Sequence, residues 1–98
     1  MQENHFLIVY DIRDGKRLRK VEKCMENYAW RVQKSIFETT ANDNTVSQLK
    51  AQLNEVIEDD DFVLFFKICE RDWQKQEKYG KNKKNKQQQE ADAPYLIL

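Results

Sequence analysis

Phe6-Leu7-Ile8-Val9-Tyr10-Asp11 is the stretch that decides how this chain folds. Five apolar residues in a row read as a strand covered on both faces, because successive side chains leave opposite sides of the backbone and neither side is polar here. The run ends on an acid. Directly after it the chain turns polar and basic, through Arg13, Asp14, Gly15, Lys16, Arg17, Arg19 and Lys20. A carboxylate where a strand leaves the core, beside clustered guanidinium groups, suits a cation and a phosphate together. Asp in that position more often starts a turn or caps the next helix, and taken alone Asp11 reads as that commoner device.

Working outward, Asp14-Gly15 makes a turn and 16–28 reads as a helix, with Leu18, Val21, Cys24, Met25 and Tyr28 recurring along one face. Residues 29–37 alternate like a strand. Trp30, Val32 and Ile36 share one side and Arg31, Gln33, Ser35 and Phe37 the other, with Lys34 breaking the first. Residues 38–44 are polar, suited to a strand continuation and a turn. A second helix spans about 45–57 on Val46, Leu49, Leu53, Val56 and Ile57, opened by a Thr45-x-x-Gln48 capping box. After the acidic connection 58–61, the aromatic run Phe62-Val63-Leu64-Phe65-Phe66 reads as a central strand. The order is that of an α+β, ferredoxin-like βαββαβ sandwich over residues 1–72. A Lys/Gln-rich linker is expected over 73–92 and a strand-like apolar tail over 93–98.

Two helices cover only one face of such a sheet, yet the first and last strands are apolar on both. A second copy is the simplest cover, and the fold therefore predicts a homodimer packed sheet to sheet. The tail residues Tyr95, Leu96, Ile97 and Leu98 suit addition to a sheet edge of a partner, or docking on their own domain. By parity, Trp30 is expected in the core, whereas Arg31 and Phe37 are expected on the face the helices leave bare.

At 98 residues the chain is one domain with a thin core. Its 17 basic and 17 acidic residues cancel, so overall charge names no partner. Their distribution says more: between Tyr10 and Lys34 there are eight Lys or Arg against four acids, which gives the molecule a basic side. Cys24 and Cys69 are far apart in apolar segments, and read as free buried thiols rather than a disulfide or metal pair. No leader pattern and no long apolar stretch is present, which predicts a cytosolic protein without a membrane partner. His5, the only histidine, reads as structural or exposed.

The strand-end Phe6-Leu7-Ile8-Val9-Tyr10-Asp11-Ile12, the basic Lys16-Arg17-Leu18-Arg19-Lys20-Val21 and the run Arg31-Val32-Gln33-Lys34-Ser35-Ile36-Phe37-Glu38 together resemble the Cas-two family. These are small CRISPR-associated proteins that work beside the integrase in spacer acquisition. The resemblance covers roughly residues 5–70. It implies a homodimer in which Asp11 and its twin face each other and share one Mg²⁺ as the catalytic and metal-binding acids. Tyr10 would line the same cleft, Phe37 would pack at its rim, and Arg17 or Arg19, with Arg31, would approach phosphate. Arg13 and Lys16 extend that nucleic-acid surface. The implied activity is metal-dependent endonucleolytic hydrolysis of RNA or double-stranded DNA. The alternatives are a non-catalytic duplex scaffold bridging integrase dimers, in which Asp11 is dispensable, and a toxin-type ribonuclease on the same fold.

Overall fold

The pleat of the first strand divides its apolar run in two. Phe6, Ile8 and Tyr10 are buried, while Leu7 and Val9 are only half covered. This computed structural model describes residues 2–79. They form β1 (Glu3–Asp11), α1 (Gly15–Glu26), β2 (Trp30–Gln33), β3 (Ile36–Asn42), α2 (Asp43–Asn54), β4 (Phe62–Ile68) and a short α3 (Glu70–Gln74). The sheet is antiparallel throughout, in the order β2-β3-β1-β4. Both long helices lie on one of its faces, which is the ferredoxin-like arrangement.

Each helix starts where a side chain can satisfy its free amides. The Asp14 carboxylate accepts the Lys16 and Arg17 amides at 3.0 Å each, and the Asn42 side-chain oxygen accepts that of Thr45 at 2.8 Å. Asn42 therefore replaces the expected Thr45 cap, and α2 begins earlier than the apolar periodicity alone suggests. Val21 and Met25 of α1, with Val46, Leu49 and Leu53 of α2, pack on Phe6, Ile8, Tyr10, Phe37 and Ala41 of the sheet.

The stretch 29–37 is a hairpin and not one strand. Lys34 and Ser35 form its turn, and the break that Lys34 makes in the apolar alternation is the trace of that turn. Arg31 pairs with Phe37 across it, so the two do share a face, but it is the helix-covered one. Phe37 is wholly buried in the core. Trp30 lies opposite Glu38 on the other face, half-buried, and its Nε1 donates to Glu38 Oε1 at 3.3 Å. The expected placements of Arg31, Phe37 and Trp30 are thus reversed: the two sets keep to separate faces, but register with β1 puts Phe37 opposite the buried Ile8, and Glu38, with Trp30, opposite Leu7.

That other face carries Leu7, Val9, Ile36, Phe62, Leu64 and Phe66, by their register with one another. Phe62, Leu64 and Phe66 are 50%, 43% and 47% exposed, and no described residue covers this part of the sheet face. Its far end is covered by α3 and the residues after it. The Trp73 ring stacks on His5 at 4.4 Å, His5 bonds Thr40 and Glu70, and Lys78 Nζ reaches Glu38 Oε1 at 2.6 Å. Residues 73–79, expected to begin a linker, thus pack on the sheet; the rest of that linker and the 93–98 tail lie outside the described residues. His5 is structural. Cys24 is half-buried and Cys69 exposed, both free, so only the absence of a bridge agrees with the thiols expected above. Among the described residues no helix is long and apolar enough to cross a membrane.

Phe37→Ala removes the largest fully buried side chain. It should lower unfolding stability by about 3–5 kcal/mol, the usual cost of emptying an aromatic core position, read from the midpoint of a urea transition.

Candidate metal and nucleic-acid site

Asp11 is the last residue of β1 and pairs with Phe62, which puts it on the uncovered face with Leu7 and Val9. Its side chain is 50% exposed, and Arg13 Nη2 stands 3.5 Å from its Oδ2. A pair this open to water is weak and screened by salt, so the carboxylate is available to another cation. Among the described residues no group of three or more His, Cys, Asp or Glu side chains is placed to hold a metal. Magnesium needs octahedral oxygen ligands and accepts one or two carboxylates with waters and phosphate, so Asp11 fits as a contributor to a shared site and not as a site in itself.

The loop that follows Asp11 is held by a residue that the sequence pattern places in an acidic connection. Asp61, just before β4, has a side chain with 0% exposure. Its Oδ1 accepts the Arg13 amide at 2.8 Å and Arg17 Nη2 at 3.2 Å. Its Oδ2 accepts Arg17 Nε at 2.7 Å and the Glu58 amide at 3.0 Å. The Arg17 fork first, and the Arg13 amide next, hold this carboxyl well below the usual carboxylate range. Asp61 follows Glu58, Asp59 and Asp60, all exposed, and only its place directly before an apolar strand sets it apart in the sequence.

Tyr10, Arg31 and Phe37 form a different assembly on the helix side of the sheet. The Tyr10 hydroxyl lies 2.9 Å from Glu22 Oε2 and 3.0 Å from the Lys34 carbonyl, so its one proton serves either acceptor. Arg31 Nη1 donates to the same carbonyl at 2.8 Å, and Nη2 pairs with Glu22 at 3.3 Å. The guanidinium lies 4.9 Å above the Phe37 ring. Burial first, and the Glu22 hydrogen bond second, push the Tyr10 hydroxyl above its ordinary value, so it remains a neutral donor. These residues tie β1, the hairpin turn and α1 together. Tyr10 does not share a cleft with Asp11, and Phe37 forms no rim, because adjacent strand residues point to opposite faces.

Arg13 is exposed beside Asp11, and Lys16, Arg19, Lys20 and Lys23 are exposed along α1. Tyr95, Leu96, Ile97 and Leu98 lie outside the described residues.

Asp61 supplies a test by pH. Because its folded-state acidity is stronger than its ordinary one, the stability it contributes is present above the ordinary aspartate range and is lost as pH falls through the folded value. Asp61→Asn should therefore melt lower than the wild type at pH 7. The gap should narrow only below about pH 4, the region of unperturbed aspartate, in paired thermal melts.

The family model described as CRISPR associated protein Cas2 matches residues 4–76. A CRISPR-associated endonuclease Cas2 of Halalkalibacterium halodurans is 39% identical over 59 residues, which are 55% of this chain and 62% of that protein, so less than two thirds of its length is spanned. A CRISPR-associated endoribonuclease Cas2 of Moorella thermoacetica is 33% identical over 84 residues, 80% of this chain and 88% of its own. Among solved structures, Streptococcus pyogenes Cas2 at pH 6.5 superposes with a TM-score of 0.66 at 30% identity, covering 78% of this chain and 99% of that one. A further Cas2 crystal structure reaches a TM-score of 0.72 over 84% of this chain and 92% of its own, at 23% identity. With the fold, the strand-end Tyr10-Asp11 and the Arg31 to Phe37 hairpin all in place, the chain belongs to the Cas2 family.

Proposed function

We propose that this chain acts in CRISPR spacer acquisition as a homodimeric, metal-dependent endonuclease on RNA or double-stranded DNA, working beside the integrase. The observation that carries the reading is that Asp11 and the uncovered apolar residues Phe62, Leu64 and Phe66 share one sheet face. Packing that face on a second copy would hide the apolar surface and, with the two-fold axis at the Asp11 end of β1, would bring two Asp11 carboxylates together. Named relatives are an endonuclease and an endoribonuclease, which accords with this reading.

Asp11 and its twin would hold one Mg²⁺, with waters and a substrate phosphate completing the shell. When bound, the ion would polarise a phosphoryl oxygen and acidify a water, so that hydrolysis of a P–O bond can proceed at neutral pH. Arg13, Lys16 and Arg19 would take the neighbouring phosphates and set where the backbone crosses the dimer axis. His5 lies six residues up β1 from Asp11, about 20 Å along a strand, and is engaged with Thr40 and Glu70. It is not placed to act as a base there.

A second reading, a duplex scaffold between integrase copies with Asp11 dispensable, is favoured by the lack, among the described residues, of any group of three or more metal-ligating side chains. One assay separates the two. Wild-type protein with Mg²⁺ should cleave a labelled RNA or duplex DNA, and Asp11→Ala should fall to background while its binding persists. Salt-sensitive binding with equal background cleavage by both proteins would select the scaffold. Independently, Phe66→Asp should convert the dimer to monomer in sedimentation, since a carboxylate would be buried in an apolar interface.

A further inference from the structure

The Asp61 clamp does more than close a loop. Its four donors come from three separate places: the turn after β1, the first turns of α1 and the connection before β4. Both oxygens are doubly satisfied, and a buried carboxylate in that state is stable only while all its partners stay in place. The Arg13 amide is one of them. It lies two residues beyond Asp11, in the turn whose course sets the angle at which Asp11 leaves the sheet. The Arg17 guanidinium is another. Its fork is spent on Asp61, its Nη1 lies 3.5 Å from Glu58 Oε1, and its side chain is 22% exposed. It lines an open crevice with Glu58, Asp59 and Asp60, surroundings that repel phosphate.

We propose that Asp61 is the positioning residue of this site, pinning the Asp11–Arg13 turn through the Arg13 amide and withholding Arg17 from nucleic acid. The proposal rests on the reading of Asp11 as a shared metal ligand for its first half; the second half concerns binding alone. Arg17 then serves the site from inside, as a strut between α1 and β4, and the phosphate contacts fall to Arg13, Lys16 and Arg19. An outer partner that orients a ligand-bearing loop is typically worth about 10–100-fold in metal affinity or activity.

The test uses wild type, Arg17→Ala, Asp61→Ala and the double variant, each as the full chain. Binding to a short DNA duplex is followed against salt, and RNA cleavage against Mg²⁺, with Asp11→Ala as the zero. Arg17→Ala should leave the salt slope at its wild-type value. Asp61→Ala should steepen it by about 0.9, because the released Arg17 neutralises one more phosphate, and the double variant should restore it. Cleavage by Asp61→Ala should fall about 10–100-fold and require more Mg²⁺ for half its maximum, a shift that loss of stability alone does not produce. A flatter slope for Arg17→Ala would overturn the masking, since Arg17 would already be on phosphate. An unchanged slope and Mg²⁺ requirement in Asp61→Ala would overturn the whole proposal. If the wild type cleaves nothing, the nuclease reading fails while the slopes still decide the masking. If Asp61→Ala does not fold, amide exchange in the wild type decides the pinning. The Arg13 amide, which lies in a turn outside the sheet ladder, should exchange slowly, and free exchange would overturn the pin.

Discussion

A four-stranded sheet with two long helices has one face to spare, and nearly everything in this molecule follows from what is placed there. β1 is apolar on both sides. The helices take Phe6, Ile8 and Tyr10, and leave Leu7, Val9 and, beside them on β4, Phe62, Leu64 and Phe66. The far end of the face is closed within the chain by the His5–Trp73 stack and the Lys78–Glu38 pair. The near end, where Asp11 sits, is closed by no described residue. In the proposed dimer, the burial that would stabilise the apolar residues would also bring two acids together, and assembly would be linked to metal binding.

The two charge clusters that α1 makes, through Arg17 with Asp61 and through Glu22 with Arg31, show how a basic sequence can hide its cations. Arg17 and Arg31 each face a carboxylate, Asp61 and Glu22, with hydrogen bonds that use the planar fork. Lysine could not make the paired contact with Asp61, because its ammonium is a point charge without a second donor in the same plane. The arginines with partners inside are those near the sheet, while Arg13, Lys16 and Arg19 on the turn and outer helix surface keep their charge in water. Charge along the chain overstates the surface available to phosphate, since part of that charge is already neutralised.

The fold was legible from periodicity because strands and helices here are strongly patterned. The apolar face of α1, the run at β4 and the strand-helix order lead directly to the sandwich. The strand pair between the helices was expected, but its turn was not placed, because Lys34-Ser35 is a tight turn without glycine or proline, and the alternation continues through it with only one break. Parity groups Arg31 with Phe37 and Trp30 with Ile36, as they are found, but it does not say which group meets the helices; that follows from register with β1, where Phe37 lies opposite Ile8 and Ile36 opposite Val9. Asp11 was legible as a strand-end acid whose exposure the parity of β1 settles. Asp61 was not, because its function lies in receiving a backbone amide from 48 residues away in sequence, a contact that no local pattern encodes.

Asp61 and Asp11 are chemically the same residue and do opposite things, and the difference is the number of donors around them. Asp61 has its four hydrogen-bonding positions filled, its proton is held off, and no site remains for a metal. Asp11 has one loose contact with an exposed arginine and is otherwise in water. A divalent ion competes only with what is already bound, so of these two carboxylates the proposed ligand is the less satisfied one. The order of the site then comes from outside Asp11 itself: a carboxylate free enough to bind a metal is too free to aim, and the aim must be supplied by the backbone that carries it. In this fold that backbone is anchored at the Arg13 amide, one turn removed from the ligand and held by a carboxylate at the start of a different strand.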